Sequence, residues 1–142
     1  MRATGLQRRA RSGASAKAAL AAVIARIAEP YRTLLLLAEV CGVPRSALAE
    51  RTLGDVQLGD DVRLVYADWD AGGALVEVAL SPAAVAVLAA YLTGWRAAHT
   101  SGPGHLFPQP RHPDEPVSLA IAKRVLRRAQ REASAASPRH LF

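Results

Sequence analysis

Cysteine, aromatic residues and long apolar runs are scarce in this chain, and each shortage excludes a class of protein. One cysteine among 142 residues, Cys41, excludes an internal disulfide framework and a cysteine-rich zinc site, and it favours a reducing compartment. Aromatic residues make up 5% of the chain, so its core must consist largely of Leu, Val, Ile and Ala. No apolar run approaches the roughly 18 residues that a membrane helix needs. We therefore expect one cytoplasmic domain that does not span a membrane.

Basic residues outnumber acidic residues by 18 to 12, and they are concentrated at the two ends of the chain. Residues 1–28 carry six basic and no acidic side chains, and residues 92–142 carry eight basic and three acidic ones. The centre, residues 29–91, has four basic and nine acidic side chains. Basic ends around an acidic centre favour a protein that meets nucleic acid along one side.

Hydrophobic periodicity predicts an α+β fold that is mostly helical with one small β-hairpin. Residues 1–14 are rich in Arg, Gly and Ser without periodicity, which predicts a mobile basic arm, so the domain comprises residues 15–142. The expected helices are a first one from near Ser15 to Ile27, then Tyr31–Cys41, Arg45–Leu53, Pro82–Leu92 and a last one from Leu119. The expected strands are Asp61–Tyr66 and Leu75–Leu80, and His99–Pro116, with its five prolines, is an expected loop.

Two basic segments are candidates for contact with the phosphates of double-stranded DNA. The spacing i, i+1, i+4, i+5, i+8 along the last helix gives a broad cationic face that could follow a phosphate backbone. The arm could hold the duplex from a second side. The candidate DNA-binding residues are Arg8, Arg9, Arg11, Lys123, Arg124, Arg127, Arg128 and Arg131. The four histidines lie in loops and at the C-terminus without metal-ligand spacing, so neither a metal nor a cofactor is expected.

The segment Leu37–Leu48 has the local pattern of a helix-turn-helix, with Ala38, Gly42 and Leu48 at the characteristic separations. The same pattern also fits an ordinary corner between two packed helices. If it is a DNA-reading motif, Arg45–Leu53 is the recognition helix, and the protein is a transcriptional regulator.

The order of elements and four sequence segments resemble the catalytic domain of tyrosine recombinases, the phage-type integrases. The segments are "EPYRTLLLLAEVCG", "LGDVQL", "VALSPAAVAVLAAYL" and "LFPQP", and the resemblance covers about residues 16–142. It implies a DNA-binding integrase-like protein. In that family a tyrosine attacks a DNA phosphodiester, Arg and His side chains hold the phosphate, and a hairpin lysine protonates the leaving group.

This sequence departs from the family's pattern at nearly every catalytic position. The candidates that remain, Arg45, Arg139 and His140, are displaced: Pro44 matches the first Arg position, and Arg139 stands where the family has His. The hairpin contains no lysine, because none occurs between Lys17 and Lys123. The segment that would carry the nucleophilic tyrosine has no counterpart, so the resemblance implies a C-terminally truncated domain.

The sequence therefore predicts DNA binding without cleavage by this chain alone, as expected of a pseudoenzyme related to DNA integration and recombination. Three alternatives stay open. The first is the helix-turn-helix regulator, and the second is a recombinase subunit whose tyrosine comes from a partner recombinase chain. The third is a remnant or interaction protein whose apolar surface is covered by self-association.

Overall fold

A computed structural model describes residues 16–100 and 104–136, and within them the fold is α+β with a small antiparallel sheet. The basic arm, with Arg8, Arg9 and Arg11, and the candidates Arg139 and His140 lie outside the described residues. The helices are α1 (residues 16–24), α2 (Tyr31–Cys41), α3 (Arg45–Ala49), α4 (Pro82–Tyr91), α5 (Ala97–His99) and α6 (Leu119–Ala135). The strands are β1 (Val56–Gln57), β2 (Arg63–Asp68) and β3 (Ala74–Ala79).

Helix α2 is the central helix, and its predicted bounds are confirmed. Pro30 at its N-cap has no side-chain acceptor, so Glu29 takes that role: its carboxylate accepts hydrogen bonds from the Thr33 backbone N–H at 2.7 Å and the Thr33 hydroxyl at 2.6 Å. The helix ends at Gly42, whose φ of 68° is the left-handed conformation that glycine adopts without steric cost. Leu34, Leu35 and Leu37 are buried, each stabilising the fold by about 1.5–3 kcal/mol.

The predicted two-stranded hairpin is part of a three-stranded sheet with the order β1-β2-β3. Strands β2 and β3 pair antiparallel from Arg63 opposite Ala79 to Asp68 opposite Ala74, which shifts each strand by one or two residues from its expected bounds. Strand β1 was not predicted. It has two residues that pair with Leu64 and Arg63, and so short a strand leaves no alternating pattern in the sequence.

The prediction of a helix over Arg45–Leu53 is wrong at its C-terminal end, because α3 stops at Ala49. The Arg51 side chain folds back and donates from Nε to the Ala47 carbonyl at 2.6 Å. Thr52 is extended and starts a new 3-10 turn, Leu53–Asp55, in which the Asp55 carboxylate accepts from the Thr52 N–H at 2.9 Å. These polar contacts replace the helical hydrogen bonds that would have continued α3.

His99, the first residue of the expected loop, belongs to α5, whereas residues 104–116 form no helix or strand, as expected, and are anchored to the core. Leu106 and Phe107 are buried, and the Tyr91 hydroxyl donates to the Leu106 carbonyl at 2.8 Å. Arg96, which is 5% exposed, donates from Nε to the His105 carbonyl at 3.2 Å. The segment therefore reaches α6 along a fixed path, which positions the basic helix.

Two apolar clusters meet on α2. The larger one joins α2, α3, the sheet, α4 and the Leu106-Phe107 pair, and the smaller one contains Ile24, Ile27, Leu35 and Leu126. Helix α6 contributes Ala122 to the first and Leu126 to the second. Because α6 buries these residues on one side only, its opposite side faces solvent.

Candidate nucleic-acid interface

Helix α6 is held in place at its start and along its inner face. Ser118 forms the N-cap, and its hydroxyl accepts from the Ile121 N–H at 3.4 Å. Ala122 and Leu126, one turn apart, are buried against the two clusters on α2. The remaining circumference of this 17-residue helix is exposed along most of its length and carries its cations. The packing of α6 therefore fixes the direction in which the cations project.

Four cations form a continuous stripe on the exposed side of α6, which we call the α6 cationic face: Lys123, Arg124, Arg127 and Arg131. At 100° per residue these positions occupy a sector of about 100°, and from first to last they rise about 12 Å along the axis. They line an open groove of about 400 Å³, and Ala120 is the one further residue of the described chain that lines it. The small alanine lets a ligand approach between the cations.

The α6 cationic face has an uncompensated charge. Among the described residues, none of its four cations lies within 4.0 Å of a carboxylate, and each is exposed. Arg128, on the same helix, differs: its Nε donates to the Glu132 carboxylate at 3.1 Å, four residues on. Arg128 was expected to belong to the DNA-binding set, but a neighbouring anion compensates its charge. The positive potential of α6 therefore comes mainly from the other four.

Arg45 extends the positive surface beyond α6. Lys123 lines a second open cavity, of about 470 Å³, together with Arg45 and Ser46 at the start of α3. The turn at Gly42 brings the start of α3 to this cavity, whose walls also include Glu39. Arg45, a displaced catalytic candidate, therefore lies at the end of the cationic stripe, where it can contact the same polyanion.

The groove between α3 and the hairpin has more acidic than basic side chains in its walls. A groove of about 500 Å³ separates α3 from the hairpin, and Glu50, Asp68 and Asp70 are among its lining residues. Asp68 ends β2, Trp69 and Asp70 follow it in the hairpin loop, and Trp69 is 81% exposed. A phosphate would be repelled here, so the groove on this side does not continue the cationic surface.

Arg51, at the base of this groove, is a structural residue that the sequence analysis missed. It is 8% exposed, its guanidinium lies 4.0 Å from the centre of the Tyr66 ring, and its NH1 is 3.7 Å from the Asp55 carboxylate. A buried arginine stacked on an aromatic ring and paired with a carboxylate joins α3 to β2. The four-residue spacing of Arg51 and Asp55 was the one available signal in the sequence.

No tyrosine of the described residues has the surroundings of a nucleophile. Tyr66 and Tyr91 are buried, and burial raises the pKa of Tyr91, which keeps its hydroxyl neutral and bonded to the Leu106 carbonyl. Burial also raises the pKa of the half-buried Tyr31. In residues 16–100 and 104–136 there is likewise no cluster of three or more His, Cys, Asp or Glu side chains that could hold a metal. What the α6 cationic face and Arg45 offer a ligand is therefore electrostatic attraction to an anion.

Comparison with known proteins gave no match to a family model, a curated protein or a solved structure. Within its described residues, the chain also has no helix both long enough and apolar enough to cross a bilayer.

Proposed function

We propose that this protein binds double-stranded DNA through the α6 cationic face, with Arg45 at one end of the contact, and does not cleave it. The observation that carries the proposal is the set of four exposed cations without carboxylate partners in the described structure. A fixed row of cations neutralises backbone phosphates and releases their counterions, which is the main source of sequence-independent DNA affinity.

The side chains of the α6 cationic face favour contact with phosphates over the reading of base sequence. Its members are Arg and Lys on one exposed helix side, which can follow a backbone without entering a groove. The rival reading, with α3 as a recognition helix, has less support. Helix α3 has five residues, and two of them, Leu48 and Ala49, are buried in the core. DNA binding by this protein should therefore be largely independent of sequence.

The absence of cleavage follows from the departures from the recombinase pattern. The hairpin carries Asp68 and Asp70 where that chemistry needs a lysine, and Arg45 is displaced from the family's arginine position. We therefore propose that the chain resembles tyrosine recombinases as a DNA-binding scaffold. In this proposal it acts in the cytoplasm and lacks their cleavage chemistry.

Fluorescence anisotropy with short duplexes tests this function. We expect binding at low salt, with equal affinity for duplexes of unrelated sequence, and a steep loss of affinity as salt rises. A nicked suicide duplex should give no covalent adduct with the protein. A lack of binding at low salt would refute the proposal, and a covalent adduct would refute its non-catalytic part.

A further inference from the structure

Strand β3 forms an edge of the sheet and has an unpaired side. The strand order places β2 on one side of it, and no other described backbone segment pairs with its far side. The N–H and C=O groups on that side need partners, which can come from water or from another strand. An open edge of six residues is long enough to template an added strand.

The hydrogen bonds of the sheet identify which residues of β3 have their backbone groups turned outward. The Leu80 N–H donates to the Val62 carbonyl at 3.0 Å, so Leu80 directs its backbone groups toward β2. Because this direction alternates along an antiparallel strand, Val78 and Val76 also bond to β2. The outward groups are therefore those of Leu75, Glu77 and Ala79.

This edge has few of the features that keep natural edge strands unpaired. Its sequence is Ala-Leu-Val-Glu-Val-Ala, without Pro or Lys, and the Leu75 side chain is 73% exposed. Its one charge is on Glu77, and that carboxylate pairs with Arg63 of β2 on the outer face of the sheet. The edge is therefore apolar and, apart from this pair, uncharged.

We propose that β3 pairs antiparallel with β3 of a second copy of this chain, with the two-fold axis passing through Val78. In a continuous sheet, both copies keep Leu75, Glu77 and Ala79 on the outer face. The two-fold axis must therefore pass through a residue of β3 and cannot pass between two residues. An axis through Glu77 would oppose two carboxylates directly.

The register centred on Val78 is favoured by charge and by backbone conformation. It places each Glu77 opposite Ala79 of the other copy, and Ala79 is itself opposite Arg63 within its own sheet. A long arginine can reach across the small alanine, so Arg63, which already pairs with Glu77 of its own chain and lies 3.9 Å from Asp61, can contact Glu77 of the other copy as well. The register also uses the whole extended run through Ser81, whose φ of −66° and ψ of 160° continue the strand.

Neither the register centred on Val76 nor a foreign strand offers the same complementarity. With the axis through Val76, Glu77 lies opposite Leu75, which is opposite Ala67 in its own sheet, so the carboxylate gains no cation from the other copy. A peptide from another protein could use the same backbone groups, but only a second copy supplies the Glu77 and Arg63 contact twice by symmetry.

Two single-cysteine variants distinguish the registers, each made with Cys41→Ser so that the introduced thiol is the only one. Residues on the axis are directly opposite each other, at a Cα separation within disulfide range, whereas residues displaced from it are farther apart. We expect Val78→Cys to form a disulfide-linked dimer rapidly under mild oxidation, and Val76→Cys to react slowly. Faster cross-linking of Val76→Cys, or equal rates for the two variants, would overturn the proposed register.

The oligomeric state of the native chain tests the pairing itself. Light scattering should show a monomer–dimer equilibrium that shifts with concentration. Ala79→Pro removes an outward N–H that β2 does not use, so it should abolish the dimer while circular dichroism remains native. Ala79→Ser, which keeps that N–H, should retain the dimer. A native chain that stays monomeric, or a dimer unaffected by Ala79→Pro, would overturn the proposal whatever the outcome of the DNA measurements.

Discussion

Replacing Arg124 and Arg127 by alanine should lower the salt dependence of DNA binding by about 1.8 in the slope of log K against log salt. Both side chains line the groove on the exposed side of α6, and neither has a carboxylate partner among the described residues. Alanine has the highest helix propensity and neither residue is buried, so the double substitution should leave α6 intact. The effect should therefore report the loss of two phosphate contacts rather than a change of fold.

The expected magnitude comes from counterion release. Each phosphate contact contributes about −0.9 to the slope of log K against log salt, so the four cations of the α6 cationic face give about −3.6. Between roughly 50 and 200 mM salt the native affinity should fall about 150-fold. With two contacts removed the slope becomes about −1.8 and the loss about 12-fold. Additional contacts, from Arg45 or the arm, would steepen both slopes equally.

The assay is fluorescence anisotropy of a labelled duplex at several salt concentrations. Arg128→Ala is the matched control, because it removes one charge from the same helix at a site already paired with Glu132. We expect the control to keep nearly the native slope. Equal slopes for the native protein and the double variant would refute the assignment of phosphate contacts to this face.

Two further predictions concern the framework that holds the interface. Leu126→Ala should lower the free energy of unfolding by about 2–5 kcal/mol, because this side chain is buried between α1 and α2. Ile121→Ala, at a residue that is 37% exposed, should lower it far less. Chemical denaturation measures both changes. Burial raises the pKa of Tyr91, so its protonated form is favoured in the folded state. The contribution of this shift to the free energy of unfolding is complete below the ordinary tyrosine pKa of about 10. It is lost as pH rises toward the pKa of Tyr91 in the folded protein. Tyr91→Phe should be less stable at neutral pH, for want of the hydrogen bond to Leu106, and should show a flatter decline above pH of about 10; a parallel decline in both proteins would contradict this account.

The sequence predicted the elements whose signals are local. Pro30 and Gly42 mark the two ends of α2, and the Ser81-Pro82 pair marks the start of α4, where the Ser81 hydroxyl accepts from the Ala84 N–H at 3.2 Å. The end of α3 was missed because it depends on Arg51, whose partners include the ring of Tyr66 on another element. Strand β1 was missed because its pairing with β2 is a tertiary contact.

The candidate site was predictable only in part, because some of its features also depend on contacts between separate elements. The stripe of cations on α6 follows from helical periodicity, and the Arg128 and Glu132 pair could be expected from their spacing of four residues. The approach of Arg45 to Lys123 could not be predicted from the sequence, because it depends on how α6 packs against the turn at Gly42. That packing depends in turn on the anchored segment around Phe107, which composition alone describes as a loop.

The location of the DNA contact is the central claim, and mapping it by NMR tests it most directly. Titration of the isotopically labelled protein with a short duplex should perturb backbone amides along α6 from Ala120 to Arg131 and at Arg45. The amides of Asp68, Trp69 and Asp70 in the hairpin loop should not move. Perturbations concentrated in the hairpin loop, with α6 unaffected, would contradict the account.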